Sequence, residues 1–158
     1  MDYISQNIKY NKLGAVGASF GGGVLLNSVC AKYILPDFMV FKSPASLLYE
    51  AYEHEQKTFD NLLQWRTSRY SDITGQSFSV YLDALQYNCY PQVSNIKCKV
   101  LVFHGNRDSV VPVEQSIRLG ALNPYFEIHV LDNVDHDYKQ NNALDVFIKG
   151  CIDFIANQ

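Results

Sequence analysis

The chain has 158 residues, the size of one domain, and 47% of them are hydrophobic, enough apolar material to build a sizeable core. Its formal net charge of −3 offers no basic surface to a nucleic acid or an anionic membrane. No run of about eighteen apolar residues reads as a membrane span, and Met1–Asn7 lacks the basic-then-apolar order of a secretory signal.

In chain order, Asp2–Tyr10 reads as a short helix and Asn11-Lys12 as a turn into a first apolar strand, Leu13–Ala18. Gly17-Ala18-Ser19-Phe20-Gly21 lies at the end of that strand and ahead of a helical stretch, Gly22–Tyr33. Pro36 breaks the chain before a second short buried strand, Asp37–Lys42. From Ser43 to Asn95 the Val-rich strands disappear and aromatic residues cluster, with helices expected over Glu50–Arg66 and Phe78–Gln86 on either side of Ser71–Gly75. A third strand, Lys99–His104, runs into the loop Gly105-Asn106-Arg107-Asp108, and Val111-Pro112 opens a helix over Val113–Ala121. A fourth strand, Tyr125–Leu131, leads into Asp132–Asp137, and an amphipathic helix over about Asn141–Ala156 closes the chain. Apolar strands alternating with helices predict an α/β fold, a mostly parallel sheet of about four strands with flanking helices.

The chemistry-bearing residues fall in loops at the C-terminal ends of these strands, where ligands bind in open parallel sheets. A serine between two glycines at a strand-to-helix turn is the context of a nucleophile elbow. The turn lifts the side chain off the sheet, and the helix N-terminus that follows can hold an oxyanion. Ser19 is therefore a candidate nucleophile, His136 a candidate general base and Asp108 the group that would orient the imidazole. These run in the order Ser, Asp, His. The backbone N–H of Phe20 is the candidate oxyanion donor. Plainer readings stand beside each: Ser19 as a helix N-cap, Asp108 as a turn-forming cap of the next helix, and His136 as a solvated loop histidine. Asp135 and Asp137 are weaker acid candidates, because immediate chain neighbours seldom point their side chains together. His54, His104 and His129 read as structural. Gly21-Gly22-Gly23 is read as close helix–strand packing. Cys30, Cys89, Cys98 and Cys151 show neither a Cys-x-x-Cys pair nor metal-ligand spacing. No metal and no cofactor is expected, and a reduced, cytoplasmic setting is favoured. A disulfide between Cys89 and Cys98 stays open.

Three groups of residues together resemble the α/β-hydrolase family: Gly17-Ala18-Ser19-Phe20-Gly21-Gly22, His104-Gly105-Asn106-Arg107-Asp108 with Val111-Pro112, and Asp135-His136. The resemblance covers nearly the whole chain. It implies a serine hydrolase cleaving an ester, thioester or amide bond of a small acyl substrate through an acyl-enzyme. The aromatic insertion, and the lack of a charged anchor for a peptide terminus, favour a carboxylesterase or thioesterase over a peptidase. By the same resemblance the four strands correspond to the fifth to eighth of a core sheet of eight, and residues 43–95 to a helical cap within a single domain, 1–158. The first half of the family's fold then has no counterpart, nor does the loop that supplies the second oxyanion donor. Two expectations follow: an open edge along Leu13–Ala18, covered by a second copy or by the absent half, and an alternative role as a non-catalytic binding or split-enzyme partner.

Overall fold

A computed structural model describes residues 8–140 and 142–158. The helix expected over Asp2–Tyr10 lies largely outside them, and residues 8–10 carry no regular structure. Four strands form one sheet: β1 (Gly14–Ala18), β2 (Phe38–Lys42), β3 (Lys99–Gly105) and β4 (Phe126–Leu131). All are parallel, in the order β1-β2-β3-β4, with Val16 beside Val40 and Val40 beside Leu101. Leu13 and Asp37 sit just before their strands. They lock the two entrances together, the Asp37 carboxylate accepting from Leu13 N at 2.7 Å and Asp37 N donating to Leu13 O at 2.8 Å.

Side chains on a strand alternate between faces, so a strand buried on both sides needs apolar residues at every position. β2 and β3 show this directly. Met39, Phe41, Val100 and Val102 pack with Leu26 and Val29 of α1 (Ser19–Cys30) and Leu119 of α6 (Val113–Leu122). On the opposite face Val40, Leu101 and Phe103 pack with Ala143 and the half-buried Phe147 and Phe154 of α7 (Ala143–Ala156). Helices therefore cover both faces, and the C-terminal ends of the strands converge on one rim.

Residues 43–95 hold four helices: α2 (Leu48–Gln56), α3 (Phe59–Ser68), α4 (Phe78–Ala84) and α5 (Tyr90–Val93). The single helix expected over Glu50–Arg66 is thus two. Lys57 turns left-handed at φ 67°, and Thr58 then caps α3, its hydroxyl accepting from Asn61 N at 3.1 Å. The aromatic residues here pack on one another. Trp65 is 1% exposed and meets the rings of Tyr52 and Phe78 edge-on at 5.9 and 5.5 Å, while its indole N–H donates to Gln76 O at 2.7 Å. Ala45, Leu48, Ala51, Ala84 and Val111 complete this second core. The tail of the segment, Cys89 and Val93, joins the sheet core instead, together with Ile96 just beyond it. α2 is tied to α6 by the Glu50–Arg118 ion pair and by Gln115, whose amide both accepts from Leu47 N (3.1 Å) and donates to Leu47 O (2.9 Å). All four cysteines are free; burial pushes the Cys30 thiol up to about 11 and Cys89 up to about 12. The disulfide left open between Cys89 and Cys98 is not formed.

The approach of α1 to the chain after β2 explains two of its three glycines. A Cβ on Gly23 would lie 2.2 Å from Ala45 O, and one on Gly22 would lie 2.8 Å from the Pro44 side chain. Gly17 on β1 is equally tight, 2.8 Å from the Gly22 Cα. Gly21 is different: nothing stands within 4 Å of its position, so close packing does not account for it.

Candidate active site

β1 ends at Ala18, and the chain turns into α1 at Ser19 with φ 50°. A non-glycine residue in the left-handed region is strained, and the strain comes at the serine itself. Its carbonyl accepts from Ala45 N at 3.0 Å, which fixes the turn against the loop after β2. As the second residue of α1, Phe20 has a backbone N–H with no acceptor inside the helix.

Asp108 follows β3. Its residue is 7% exposed and its carboxylate is fully enclosed. Oδ1 accepts from Val110 N at 2.9 Å and Val111 N at 2.8 Å, the pattern of a turn-forming aspartate. Oδ2 lies 2.7 Å from His136 Nδ1. The turn reading and the orienting reading of Asp108 therefore use different oxygens. His136 Nε2 lies 2.9 Å from Ser19 Oγ. An ionised carboxylate only accepts, so the ring carries its proton on Nδ1, and Nε2 of the neutral ring accepts from the Ser19 hydroxyl. Burial acts to raise the Asp108 pKa. Hydrogen bonds from His104, His136 and Val111 N, with the charge on His136, outweigh it and hold the carboxyl well below the usual range.

Two further groups brace this line. His104, fully buried at the end of β3, places Nε2 3.3 Å from Asp108 Oδ2 and 3.1 Å from Val111 O. Both partners are acceptors, so Nε2 carries a proton, and in the neutral ring Nδ1 accepts from Ser116 Oγ at 2.7 Å. Lys42, the last residue of β2, donates to His136 O at 2.6 Å and lies 4.2 Å from the centre of the Tyr138 ring. The Lys42 pKa is lowered by burial, against the pull of Asp108, Asp137 and Asp135. Neither neighbour of His136 reaches its ring. Asp135 accepts from the amide of Gln140 and from Asp137 N and Lys139 N within its own loop, and Asp137 pairs with Lys139 at 2.5 Å. His54 Nε2 lies 3.2 Å from Asp108 O, while His129 stacks on Phe103 and bonds Glu127.

A cleft of about 410 Å³ opens beside Ser19, walled by Phe20, Leu48, Tyr52, Val80, Val110 and Val111, with Glu55 and Gln76 on its polar side. Among the described residues no group of three or more His, Cys, Asp or Glu side chains could hold a metal. Sequence reasoning assigned His104 a structural place and passed over Lys42 and Glu55. A lysine ending an otherwise apolar buried strand was the available signal for Lys42; for Glu55 there was none.

A parallel sheet with helices on both faces and the candidate residues at its C-terminal rim is the architecture of the α/β-hydrolase fold. The sequence model of the prolyl oligopeptidase family matches residues 3–158, and the chain belongs to that family. It is similar to "Probable lysophospholipase BODYGUARD 1" of Arabidopsis thaliana, 36% identical over 63 residues that make up 40% of this chain and 12% of that protein. It is similar also to 2-hydroxy-6-oxononadienedioate/2-hydroxy-6-oxononatrienedioate hydrolase of Comamonas testosteroni, 34% identical over 71 residues, 45% of this chain and 24% of that one. Among solved structures, Est1E from Butyrivibrio proteoclasticus superposes with a TM-score of 0.75 at 15% identity, over 99% of this chain and 65% of Est1E. The chain thus spans about two-thirds of that structure, and its matches span much smaller shares of the curated relatives.

Proposed function

We propose that the chain is a serine hydrolase acting on an ester, thioester or amide of a small acyl substrate. The observation that carries this reading is the continuous hydrogen-bonded line Ser19 Oγ–His136 Nε2, His136 Nδ1–Asp108 Oδ2, at 2.9 and 2.7 Å. In it, His136 takes the Ser19 proton as Oγ attacks the carbonyl carbon, and the charge on the carbonyl oxygen is met by the Phe20 N–H. Asp108 holds the imidazole and stabilises the imidazolium. His136 then protonates the leaving group, and water, deprotonated by the same ring, releases the acyl group from Ser19. The family carries a peptidase's name, yet the wall beside Ser19 is mostly apolar, which supports an acyl chain in that place and hence an esterase or thioesterase.

A second reading has its own support. Among the described residues β1 is an edge strand, and the chain spans 65% of Est1E. On that reading it is a binding or split-enzyme partner, catalytically silent until another polypeptide, or a second copy, pairs along β1. A fluorophosphonate probe separates the two. Labelling of the purified chain that is lost in both Ser19→Ala and His136→Ala supports the hydrolase. A folded chain that stays unlabelled overturns independent activity and favours the partner role.

A further inference from the structure

Residues 42–45, where β2 ends, reach all three parts of the chain that bring the candidate side chains together. Ala45 N donates to Ser19 O at 3.0 Å, Ser43 N to Phe103 O on β3 at 2.8 Å, and Lys42 Nζ to His136 O at 2.6 Å. The first two are backbone bonds open to any residue that carries an N–H. The third needs a long side chain that donates. The segment itself is firmly placed: Ala45 is buried, and Ser43 is buried with φ 43°.

Among the described residues the His136 carbonyl has one donor, Lys42, and the Lys42 ammonium has one acceptor, that carbonyl. Asp108, Asp137 and Asp135 all attract the charge. Yet it forms no ion pair with any of them and lies instead over the Tyr138 ring. That ring is buried and stands edge-on to Phe147 of α7. The ammonium is thus held between a carbonyl and an aromatic face that the core keeps in place. His136 lies in a turn outside any helix or strand, and both of its ring nitrogens are engaged with Asp108 and Ser19. The bond from Lys42 is therefore what ties its backbone to the sheet.

Resting on the serine-hydrolase reading, we infer that Lys42 is a positioning residue. By pinning the His136 carbonyl to the segment that also holds the Ser19 turn, it sets the reach from His136 Nε2 to Ser19 Oγ. It takes no proton itself and acts through His136. Proton transfer needs the two heavy atoms at hydrogen-bond distance, and a displacement of about 1 Å costs about a hundredfold in rate.

The test reads the rate constant of fluorophosphonate labelling, kinact, apart from the binding constant KI, in the wild type, Lys42→Met and Lys42→Arg. Methionine keeps an apolar stem over Tyr138 but donates nothing, so kinact should fall about tenfold to a hundredfold while KI changes by less than about twofold. Arginine donates to a carbonyl and stacks on a ring, so Lys42→Arg should stay within about threefold of the wild type. A role confined to stability would lower the melting temperature and leave kinact alone, because kinact belongs to the folded molecules that react. Unchanged kinact in Lys42→Met, a loss carried by KI, or equal losses in the two variants overturns the inference. Two NMR signals complete the test. In the wild type a scalar coupling should run from Lys42 Nζ to the His136 carbonyl carbon, and its absence overturns the inference even if Lys42→Met does not fold. The low-field proton on His136 Nδ1 should broaden or vanish in Lys42→Met and persist in Lys42→Arg. Should the wild type stay unlabelled, the hydrolase reading fails and that proton decides the positioning alone: its loss in Lys42→Met supports the inference, and an unchanged signal overturns it.

Discussion

Asp108 is the most heavily braced side chain of the site, with two backbone donors on Oδ1 and two histidines on Oδ2. Folding lowers its pKa, so the unfolded chain is the better proton acceptor in acid. The stabilisation is fully present above the ordinary carboxylate value of about 3.9 and is lost as the pH falls from there toward the native value. Urea midpoints measured between neutral pH and about pH 3 should therefore fall more steeply for the wild type than for Asp108→Asn; parallel profiles would show that the carboxylate is not held this way. His104 contributes through Asp108 and touches no other candidate group. His104→Phe removes one buried donor and leaves the Ser116 hydroxyl without its acceptor, at a cost of about 1–3 kcal/mol in urea denaturation. A structural role would end there. A positioning role also predicts that the acid limb of fluorophosphonate labelling moves to higher pH, because Asp108 has lost a proton-bearing neighbour that favours its charge. Ser19, Asp108 and His136 could be singled out as candidates because each follows a strand in the order a nucleophile elbow predicts. The bracing by His104 and Lys42 was not legible, since it depends on distances across the sheet rim rather than on spacing along the chain.

The elements themselves were readable where burial alone decides them. β2 and β3 are apolar at nearly every position because both faces are covered, and their spans fall within a residue of expectation. The break between α2 and α3 was missed for a physical reason. Lys57 adopts the left-handed conformation that glycine or asparagine would have advertised, so the sequence carries no stop signal there. The glycines of α1 make a sharper case. Three in a row look equivalent in sequence, yet one faces a carbonyl 2.2 Å from its would-be Cβ and another faces open space. Gly23→Ala must push α1 from the loop after β2 and should cost about 1–3 kcal/mol. Gly21→Ala meets nothing and removes backbone freedom from a helix, so it should be neutral or stabilise by up to about 1 kcal/mol. Thermal unfolding of the two variants side by side is the check, and equal effects would contradict the packing described for α1.

At the scale of the whole molecule, the two edges of the sheet differ among the described residues. Helices cover both faces, and the β4 edge carries the exposed Glu127 and His129 side chains, polar groups of the kind that discourage further pairing. β1 has no such device. Its five residues are Gly-Ala-Val-Gly-Ala, without a charge or a proline, and Val16 is 64% exposed. Among the described residues the strand that leads into Ser19 thus presents an unpaired row of backbone donors and acceptors beside an exposed apolar side chain, the arrangement that templates pairing with another strand. Pairing there would also brace the turn at Ser19 from its open side, which links association to the site. We expect the chain to associate along β1, and a lysine at Val16 to oppose it by placing a charge on the edge. In multi-angle light scattering over a concentration series the wild type should move from monomer toward dimer or larger species, while Val16→Lys stays monomeric at the same concentrations. A wild-type chain that remains monomeric throughout would show that the β1 edge is not used for pairing between copies.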